Sequence, residues 1–361
     1  MNDNSKRYRA VRKALDRPYP TQPQGNQARL LNSLAALISG IVGSQKSCLP
    51  EIANKVPDGA KPESRVKRFS RQLQNQSVSA ETHFIPFASE LLSGLIASSG
   101  TLVLAIDGSV VGRGCVCLMI SVIYKNRALP VAWLVLKGKK GHFTEDIHIR
   151  LTKCVAEMIP KGTDVVFTGD GEFDGTSLLV TISLFGWKYV CRTGINIVYY
   201  ADGEKCKIGY LSDGMKPGER RAVVSAMFTG DKYGPVMIIC QWGLGHKEPI
   251  YLVTDMNSVA DACLYYKKRF KIETFFSDQK SRGFNLHKSH ISDPERLSRL
   301  MIATCLAYIW IIYLGVLTIA RGWDKIIHRT DRCDLSLFKP GKNCLDYIFN
   351  ENLKIPVAFT V

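Results

Sequence analysis

A chain of 361 residues, 46% of them hydrophobic, is long enough for a sizeable core and for two or three structural units. Its 48 Lys and Arg exceed its 32 Asp and Glu, and the resulting net charge of +16 favours a polyanionic partner. The 11 cysteines contain no CxxC pair, which argues against a disulfide framework and a zinc site and favours a reducing, cytoplasmic environment.

The positive charge is concentrated at the beginning of the chain. Residues 1–72 contain 14 Lys and Arg but five Asp and Glu, so they carry +9 of the total. A solvated basic surface would explain this excess, but the asymmetry favours a region that binds nucleic acid. Deleting residues 1–72 is therefore expected to weaken DNA binding far more than it disturbs the remaining fold. The first 17 residues also lack the apolar stretch of a signal peptide.

Helical patterns dominate the first hundred residues. Apolar residues at helical spacing predict helices over 26–43, 64–75 and 83–97. We therefore predict a helical DNA-binding domain, with a helix-turn-helix as one option and an ordinary basic surface as the alternative. The second predicted helix carries four basic residues that are candidates for DNA contact: Arg65, Lys67, Arg68 and Arg71.

From residue 101 the pattern changes to strands. TLVLAIDGS is an apolar strand that is expected to end on the carboxylate Asp107, and two more strand-like runs precede a helix over 143–159. DVVFTGD is a second buried strand, which ends on Asp170, and a helix around 174–185 and the strand WKYVCRT come next. Three consecutive strands followed by alternating helices and strands predict a mixed α/β sheet.

Residues 194–250 interrupt this alternation with a segment rich in Gly, Tyr, Lys and Val. Turn signals at Asp202-Gly203, Asp213-Gly214 and Pro217-Gly218 predict a β-rich unit of hairpins. The strands VMIICQWG and PIYLVTD end this unit, and helices resume after it.

The segment YYKKRFKIETFFSDQK, residues 265–280, mixes large apolar and charged residues without Gly or Pro, which predicts one helix. Tyr266, Arg269, Glu273 and Lys280 lie within about 60° of one another around its axis. An ion pair between Arg269 and Glu273 explains this spacing as well as a functional site does, although the apolar borders favour a site. Three other charged residues fall on a separate, ordinary polar face: Lys267, Lys271 and Asp278.

Residues 300–320 run for 21 positions without a charge, between Arg299 and Arg321. Such a run fits a transmembrane helix. It fits equally well a helix that is buried on all sides in a large core. The pattern alone leaves both options open.

Asp107, Asp170 and Glu273 form a candidate metal site. Carboxylates at strand ends meet at the carboxyl edge of an α/β sheet, where ligands usually bind, and a third could reach them from a helix. Oxygen ligands suit Mg²⁺ or Mn²⁺. Three carboxylates can hold two such ions, roughly 3.5–4 Å apart, for an attack at phosphorus.

The four polar residues of the helix have the spacing Y-x2-R-x3-E-x6-K, which resembles without a gap the signature of bacterial insertion-sequence transposases. Over residues 100–320 the chain is similar to insertion-sequence family four, whose members use DDE chemistry. The resemblance implies an α/β fold class with a ribonuclease-H-like mixed sheet, interrupted by a β-rich insertion and preceded by an all-helical N-terminal domain. It also implies that residues 300–320 form a helix buried under the sheet.

The resemblance implies a role for each candidate residue. Asp107, Asp170 and Glu273 would be catalytic and would hold two Mg²⁺ or Mn²⁺ ions. The family often has D-R-G-F at the second carboxylate, where this chain has Asp170-Gly171-Glu172-Phe173, so Asp174 is an alternative ligand. Trp242 would stack on an extruded base, although a Trp in a strand is more often a core residue. Phosphates would be held by the remaining signature residues, whose types suit that contact: Tyr266, Arg269 and Lys280.

These observations predict five segments. They are a helical DNA-binding domain over 1–98, a catalytic domain over 99–193 and 251–325, a β-rich insertion over 194–250, and a C-terminal tail over 326–361.

The predicted function is that of a bacterial DNA transposase, cytoplasmic and nucleoid-associated, which cleaves insertion-sequence ends and joins them to target DNA. Its expected partners are double-stranded DNA, at the transposon ends and at the target, and a second copy of the chain in the DNA complex. No membrane partner is expected. Two alternatives remain: a related nuclease that cleaves without strand transfer, and a catalytically inactive, transposase-derived repressor that binds DNA.

Overall fold

The computed structural model describes residues 2–138, 141, 143–327 and 336–361. The predicted helices of the first hundred residues are present, and three more accompany them. The pattern misses the first helix because its sequence is mostly polar and its buried residues are few. The helices are α1 (Asp3–Ala14), α2 (Gly25–Ser44), α3 (Leu49–Ala53), α4 (Pro62–Gln74), α5 (Ala80–His83) and α6 (Ile85–Ser98).

A mixed sheet follows these helices. Its first elements are β1 (Thr101–Gly112), β2 (Cys115–Tyr124), β3 (Arg127–Lys137), α7 (Glu145–Ala156), β4 (Asp164–Gly169), α8 (Thr176–Leu184) and β5 (Lys188–Thr193). β1 and β3 flank β2 in antiparallel pairs, whereas β4 pairs parallel with β1 and with β5. The resulting order β3-β2-β1-β4-β5 is that of a ribonuclease-H-like sheet, so the predicted fold class is confirmed.

The end of the first strand differs from the prediction. Asp107 lies inside β1 rather than at its end, because β1 stays paired with β2 as far as Gly112 and Cys115. The parallel partner β4 does end where predicted, at Gly169. β4 therefore ends on this side of the sheet, while β1 continues past it.

The inserted segment contributes further strands to the same sheet. It contains β6 (Val198–Ala201), β7 (Glu204–Lys207), β8 (Arg220–Phe228) and β9 (Tyr233–Gln241), and β10 (Ile250–Thr254) joins β9 to β5. β6 and β7 meet at Asp202-Gly203, where φ is 51° and 83°, as tight hairpin turns require. The described strands thus form one ten-stranded sheet, and the insertion extends the catalytic sheet instead of forming a sheet of its own.

The segment 265–280 does not form one helix, and that prediction is wrong. Two helices, α9 (Val259–Arg269) and α10 (Lys271–Gln279), meet at Phe270, where the Glu273 N–H donates to the Phe270 carbonyl over a tight turn. The break allows α9 to pack on β1, β4 and β5 while α10 packs on β1, β2 and β3. Two different parts of the sheet are covered in this way.

The uncharged run lies in the helix α11 (Pro294–Ala320), and α12 (Asp324–Ile327) and α13 (Phe338–Asn350) follow it. In the described part of the chain, α11 is the one helix long and apolar enough to cross a membrane, but 83% of its most apolar stretch is buried. Every residue from 300 to 312 is buried, between β3, α2, α4 and α13. As predicted, this run forms a core helix.

The N-terminal helices and the catalytic sheet share one hydrophobic core. α2 and α4 pack on α11, and Leu34, Ile38 and Phe69 belong to the same buried cluster as Leu306 and Trp310. Deleting residues 1–72 would expose these apolar side chains to water. The expectation that such a deletion spares the remaining fold therefore does not hold, and point substitutions are the better test of DNA binding.

The helical pattern places Asp278 on an ordinary polar face, and this prediction is also wrong. Asp278 is 5% exposed, and its Oδ2 accepts a hydrogen bond from Nη1 of Arg127 at 2.9 Å. Arg127 begins β3, on which α10 packs, and it is itself 6% exposed. The packing of α10 on the sheet turns this carboxylate into the core.

Asp278 makes the stability of the protein depend on pH. Burial raises the pKa of Asp278 to about 6, although Arg127 acts in the opposite direction. Between about pH 4 and pH 6 the folded state keeps a proton that the unfolded chain releases, so stability falls as pH rises through this range. We expect Asp278→Asn to remove this component in urea unfolding curves, and the exposed Asp213→Asn to leave it. Identical pH profiles for wild type and Asp278→Asn would contradict this prediction.

Candidate active site

Asp107 lies in β1, and Asp170 directly follows the neighbouring strand β4. Ala105 of β1 is opposite Thr168 of β4. Two residues further along, this parallel register brings Asp107 and Asp170 to the same level, on strands about 4.8 Å apart. Oδ1 of Asp107 accepts a hydrogen bond from the Gly108 N–H at 2.8 Å, and the carboxylate is buried. The fold itself therefore brings these two acids together.

Arg269 connects the third carboxylate to this pair. Its Nη2 donates to Oε1 of Glu273 at 3.0 Å, and its Nη1 lies 3.8 Å from Oδ2 of Asp107. Burial acts to lower the pKa of Arg269, but Tyr266 and the carboxylates of Asp107, Asp170 and Glu273 outweigh it and raise the pKa. Arg269 is thus a permanent cation among three carboxylates.

The guanidinium of Arg269 retains hydrogen-bonding capacity beyond its ion pairs with Asp107 and Glu273. Its Nε and Nη1 are buried and have no hydrogen-bond partner among the described residues. The rings of Tyr266 and Phe270 enclose it, with their centroids 5.7 Å and 4.7 Å from the guanidinium carbon. A buried donor without an acceptor costs about 1–3 kcal/mol, so this site is suited to an anion with several oxygens.

Lys280 reaches the site from the end of α10. Its Nζ donates to Oγ of Ser109 at 2.6 Å, two residues beyond Asp107 on β1. Tyr266 and Arg269 are almost fully buried, whereas the side chain of Glu273 is 54% exposed. The four signature residues therefore meet through the fold rather than as one continuous stripe on a single helix.

The segment after β4 has a buried histidine beside it, which the sequence pattern gave no reason to expect. His148 of α7 lies with its Nε2 3.9 Å from Oε1 of Glu172, and its ring packs against Phe173. Burial lowers the pKa of His148, although Glu145 and Asp170 act in the opposite direction. His148 therefore faces Glu172, which stands where the family often has Gly, while Gly171 takes the position of the family's Arg.

Asp170 fits the second carboxylate position better than Asp174. The N–H of Glu172 donates to Oδ1 of Asp170 at 3.1 Å, and the charge of Asp170 acts on both Arg269 and Tyr266. Asp174 lies four residues further along, and burial raises its pKa.

The basic residues of α4 divide into two pairs. Arg65 and Arg68 are held by Asp58; Nη1 of Arg68 lies 2.9 Å from Oδ2 of this carboxylate, and Arg65 also donates to the Ala53 carbonyl at 3.0 Å. They brace the connection 54–61 between α3 and α4, which is longer than the turn of about four residues in a helix-turn-helix. Lys67 and Arg71 are exposed.

Trp242 lies directly after β9 rather than inside a strand. Its Nε1 donates to the His246 carbonyl at 2.9 Å, which closes a local turn, and its half-buried ring packs against the core. The predicted stacking of this ring on a base stays a prediction.

Asp107, Asp170 and Glu273 offer the oxygen donors that Mg²⁺ and Mn²⁺ prefer. Among the described residues, no three His, Cys, Asp or Glu side chains already converge closely enough to hold a metal ion. The position of Arg269 explains this, because its guanidinium stands between Asp107 and Glu273. Glu273 is half-exposed, and the three acids supply oxygen donors of the kind that a divalent ion takes.

Residues 99–310 match the family model of the transposase DDE domain. The chain belongs to this DDE transposase family. The matched region covers more than half of the chain and runs from just before β1 into α11. It contains all three carboxylates, and the predicted DDE type of transposase is confirmed.

Among solved structures, this transposase is similar to a piggyBac transposase in a synaptic complex with hairpin DNA, determined by cryo-EM. The sequence identity is 12% and the TM-score 0.49, over 98% of this chain and 79% of the other. At these values no functional conclusion follows from the similarity. A comparison with curated proteins finds no match.

Proposed function

We propose that this DDE transposase cleaves the ends of an insertion sequence and joins the freed 3′-OH groups to target DNA. The observation that supports this most strongly is the position of Arg269 among Asp107, Asp170 and Glu273. These residues occupy the signature positions of insertion-sequence family four, which favours that family and a bacterial origin.

The three carboxylates would hold two Mg²⁺ or Mn²⁺ ions, which activate the attacking oxygen and stabilise the leaving oxygen in phosphoryl transfer. The remaining signature residues would position the DNA backbone. Nε and Nη1 of Arg269, which make no hydrogen bond to the described residues, suit a phosphate with two oxygens in one plane. Lys280, held at Ser109, would add a point charge beside Asp107.

The net charge of +16 supports double-stranded DNA as the partner, both at the transposon ends and at the target. We further propose that two copies of the chain assemble on the DNA ends and that the protein acts in the bacterial cytoplasm at the nucleoid. The sequences that flank the reading frame should then contain inverted repeats.

The decisive experiment uses linear DNA that carries these flanking sequences. The purified protein is incubated with labelled DNA, Mg²⁺ and a target plasmid, and nicking, joining and binding are measured in parallel. Cleavage followed by joining is the expected result. Cleavage without joining would indicate the related nuclease, and binding without cleavage would indicate the repressor.

Lys280→Ala is expected to weaken the binding of end DNA and to reduce cleavage. Each phosphate contact that is lost should lower the slope of log K against log salt by about one unit. Titrations at four or five salt concentrations measure this slope, and Lys267→Ala, an exposed lysine of α9, is the matched control. Equal slopes for Lys280→Ala and wild type would contradict a phosphate contact.

A further inference from the structure

A basic groove lies outside the candidate active site, where the two ends of the chain meet. α1, the segment after α11 and residues 352–357 line this groove, which has a volume of about 970 Å³. Nζ of Lys6 donates to Oδ1 of Asn352 at 2.6 Å and joins its two walls. No acidic residue is among the described residues that line it. Its basic residues are Lys6, Arg9, Lys13, Arg17, Arg321 and Lys354.

Most of this charge forms a row along one helix. Lys6, Arg9, Lys13 and Arg17 follow one another at intervals of three or four residues, so they project from one side of α1 and the turn after it. At 1.5 Å per residue the row is roughly 16 Å long. Duplex DNA rises 3.4 Å per base pair along its axis, so the row is as long as about five base-pair steps.

The cations of the groove are available, in contrast to half of those on α4. Arg9, Lys13 and Arg17 are exposed, as are Arg321 and Lys354. The pairs that Asp58 forms with Arg65 and Arg68 on α4 have no counterpart here, because none of the described residues that line the groove is acidic. Several exposed cations along a concave surface create a strong positive potential, which attracts a polyanion.

The floor of the groove favours a backbone contact over base stacking. Its largest ring, Trp323, is covered by the guanidinium of Arg321 at 4.8 Å and packs against Tyr347 at 5.5 Å. Proteins that bind single strands need open aromatic faces on which bases can stack. A ring that is already covered does not provide such a face, so the groove suits the phosphates of a duplex.

We propose that this groove binds the phosphate backbone of double-stranded DNA as a second contact surface, separate from the carboxylate site. The choice of DNA rests on the proposed function, whereas the location rests on the residues of the groove. The contact would be independent of base sequence, because charged side chains that reach phosphates read no bases.

The test compares two triple variants with the full-length protein. Arg9→Gln/Lys13→Gln/Arg17→Gln removes the three exposed cations of the row and leaves Lys6. Lys153→Gln/Lys161→Gln/Lys205→Gln removes the same charge from exposed positions elsewhere. Binding of a duplex of unrelated sequence is measured by fluorescence anisotropy over a range of salt concentrations. We expect the groove variant to lose about three units of the salt slope and the control variant to keep the wild-type slope.

A cleavage assay separates the failure of this proposal from that of the proposed function. With saturating end DNA and Mg²⁺, the groove variant should cleave at the wild-type rate, since its changes lie outside the carboxylate site. An unchanged salt slope would overturn the groove proposal even if Glu273→Gln abolishes cleavage. A lost slope in a protein that never cleaves end DNA would support the groove and contradict the transposase mechanism.

A stability control accompanies the binding measurement. All six substituted positions in the two variants are exposed, so the thermal unfolding midpoint should stay unchanged and a loss of binding would not reflect misfolding.

Competition with an acidic peptide of the same charge as the duplex tests the ligand class. Displacement of the duplex by this peptide at equal concentration would overturn DNA as the occupant and assign the groove to an acidic protein segment.

Discussion

Replacing Glu273 by Gln is expected to abolish DNA cleavage and joining while DNA binding stays nearly unchanged. The substitution keeps the size and the hydrogen-bonding capacity of the side chain but removes the charge that a metal ligand needs. Transition-state stabilisation of several kcal/mol should be lost, and each 1.4 kcal/mol corresponds to a factor of about ten in rate. We therefore expect the rate of DNA cleavage to fall about 10³-fold. Asp107→Asn and Asp170→Asn should have the same effect.

The competing explanation, a surface ion pair, predicts the opposite. Glu273 is half-exposed and accepts a hydrogen bond from Arg269 four residues earlier, and such helix pairs contribute about 0.3–0.5 kcal/mol. Glu295→Gln is the matched control, because Glu295 forms the same kind of exposed pair with Arg299 on α11. If Glu273→Gln, like this control, retained the wild-type cleavage rate, Glu273 would be a stabilising residue and no metal ligand.

Local geometry explains what the sequence could predict about the site. Tyr266 and Arg269 are three residues apart on α9, and helical spacing brings such residues together. Arg269 and Glu273 are four residues apart and stay in contact across the tight turn at Phe270. The contact between Lys280 and Ser109 joins residues that are far apart in the chain, so no local pattern contains it. Their meeting depends on how α10 packs on β1.

The position of Asp107 within its strand has a similar cause. A strand ends where its partners stop pairing with it. β2 pairs with β1 as far as Gly112, whereas β4 pairs with β1 only as far as Ala105. The composition of TLVLAIDGS shows that a buried strand is present, but it contains no information about the length of β2. The predicted strand end was therefore wrong, although the level of Asp107 relative to Asp170 follows from the parallel register.

The fold shows the same division between local and distant causes. The Asp202-Gly203 turn was predictable because its φ angles suit these residue types whatever surrounds them. The order of the sheet, in which β10 and β9 connect the insertion to β5, depends on pairings between distant strands. The burial of Asp278 likewise depends on Arg127, which a helical projection of residues 265–280 does not include.

The largest effect on stability is expected from a charge inside α11. Ile309 and Leu314 are fully buried in the core that the sheet and the N-terminal helices share. An unpaired charge at such a position costs a large part of the roughly 5–15 kcal/mol that stabilises a folded protein. Ile309→Asp and Leu314→Asp should therefore be recovered as aggregates.

Ile319→Asp distinguishes a core helix from a membrane helix. Ile319 lies near the end of the same helix and is 49% exposed, so the core position of α11 predicts that this variant folds, within about 0.5 kcal/mol of wild type. Fractionation without detergent, followed by urea unfolding of the supernatant, measures both properties for wild type and the three variants. A helix that crossed a membrane would instead place wild-type protein in the membrane fraction. If Asp at position 309 lowered stability no more than Asp at position 319, α11 would have no buried side.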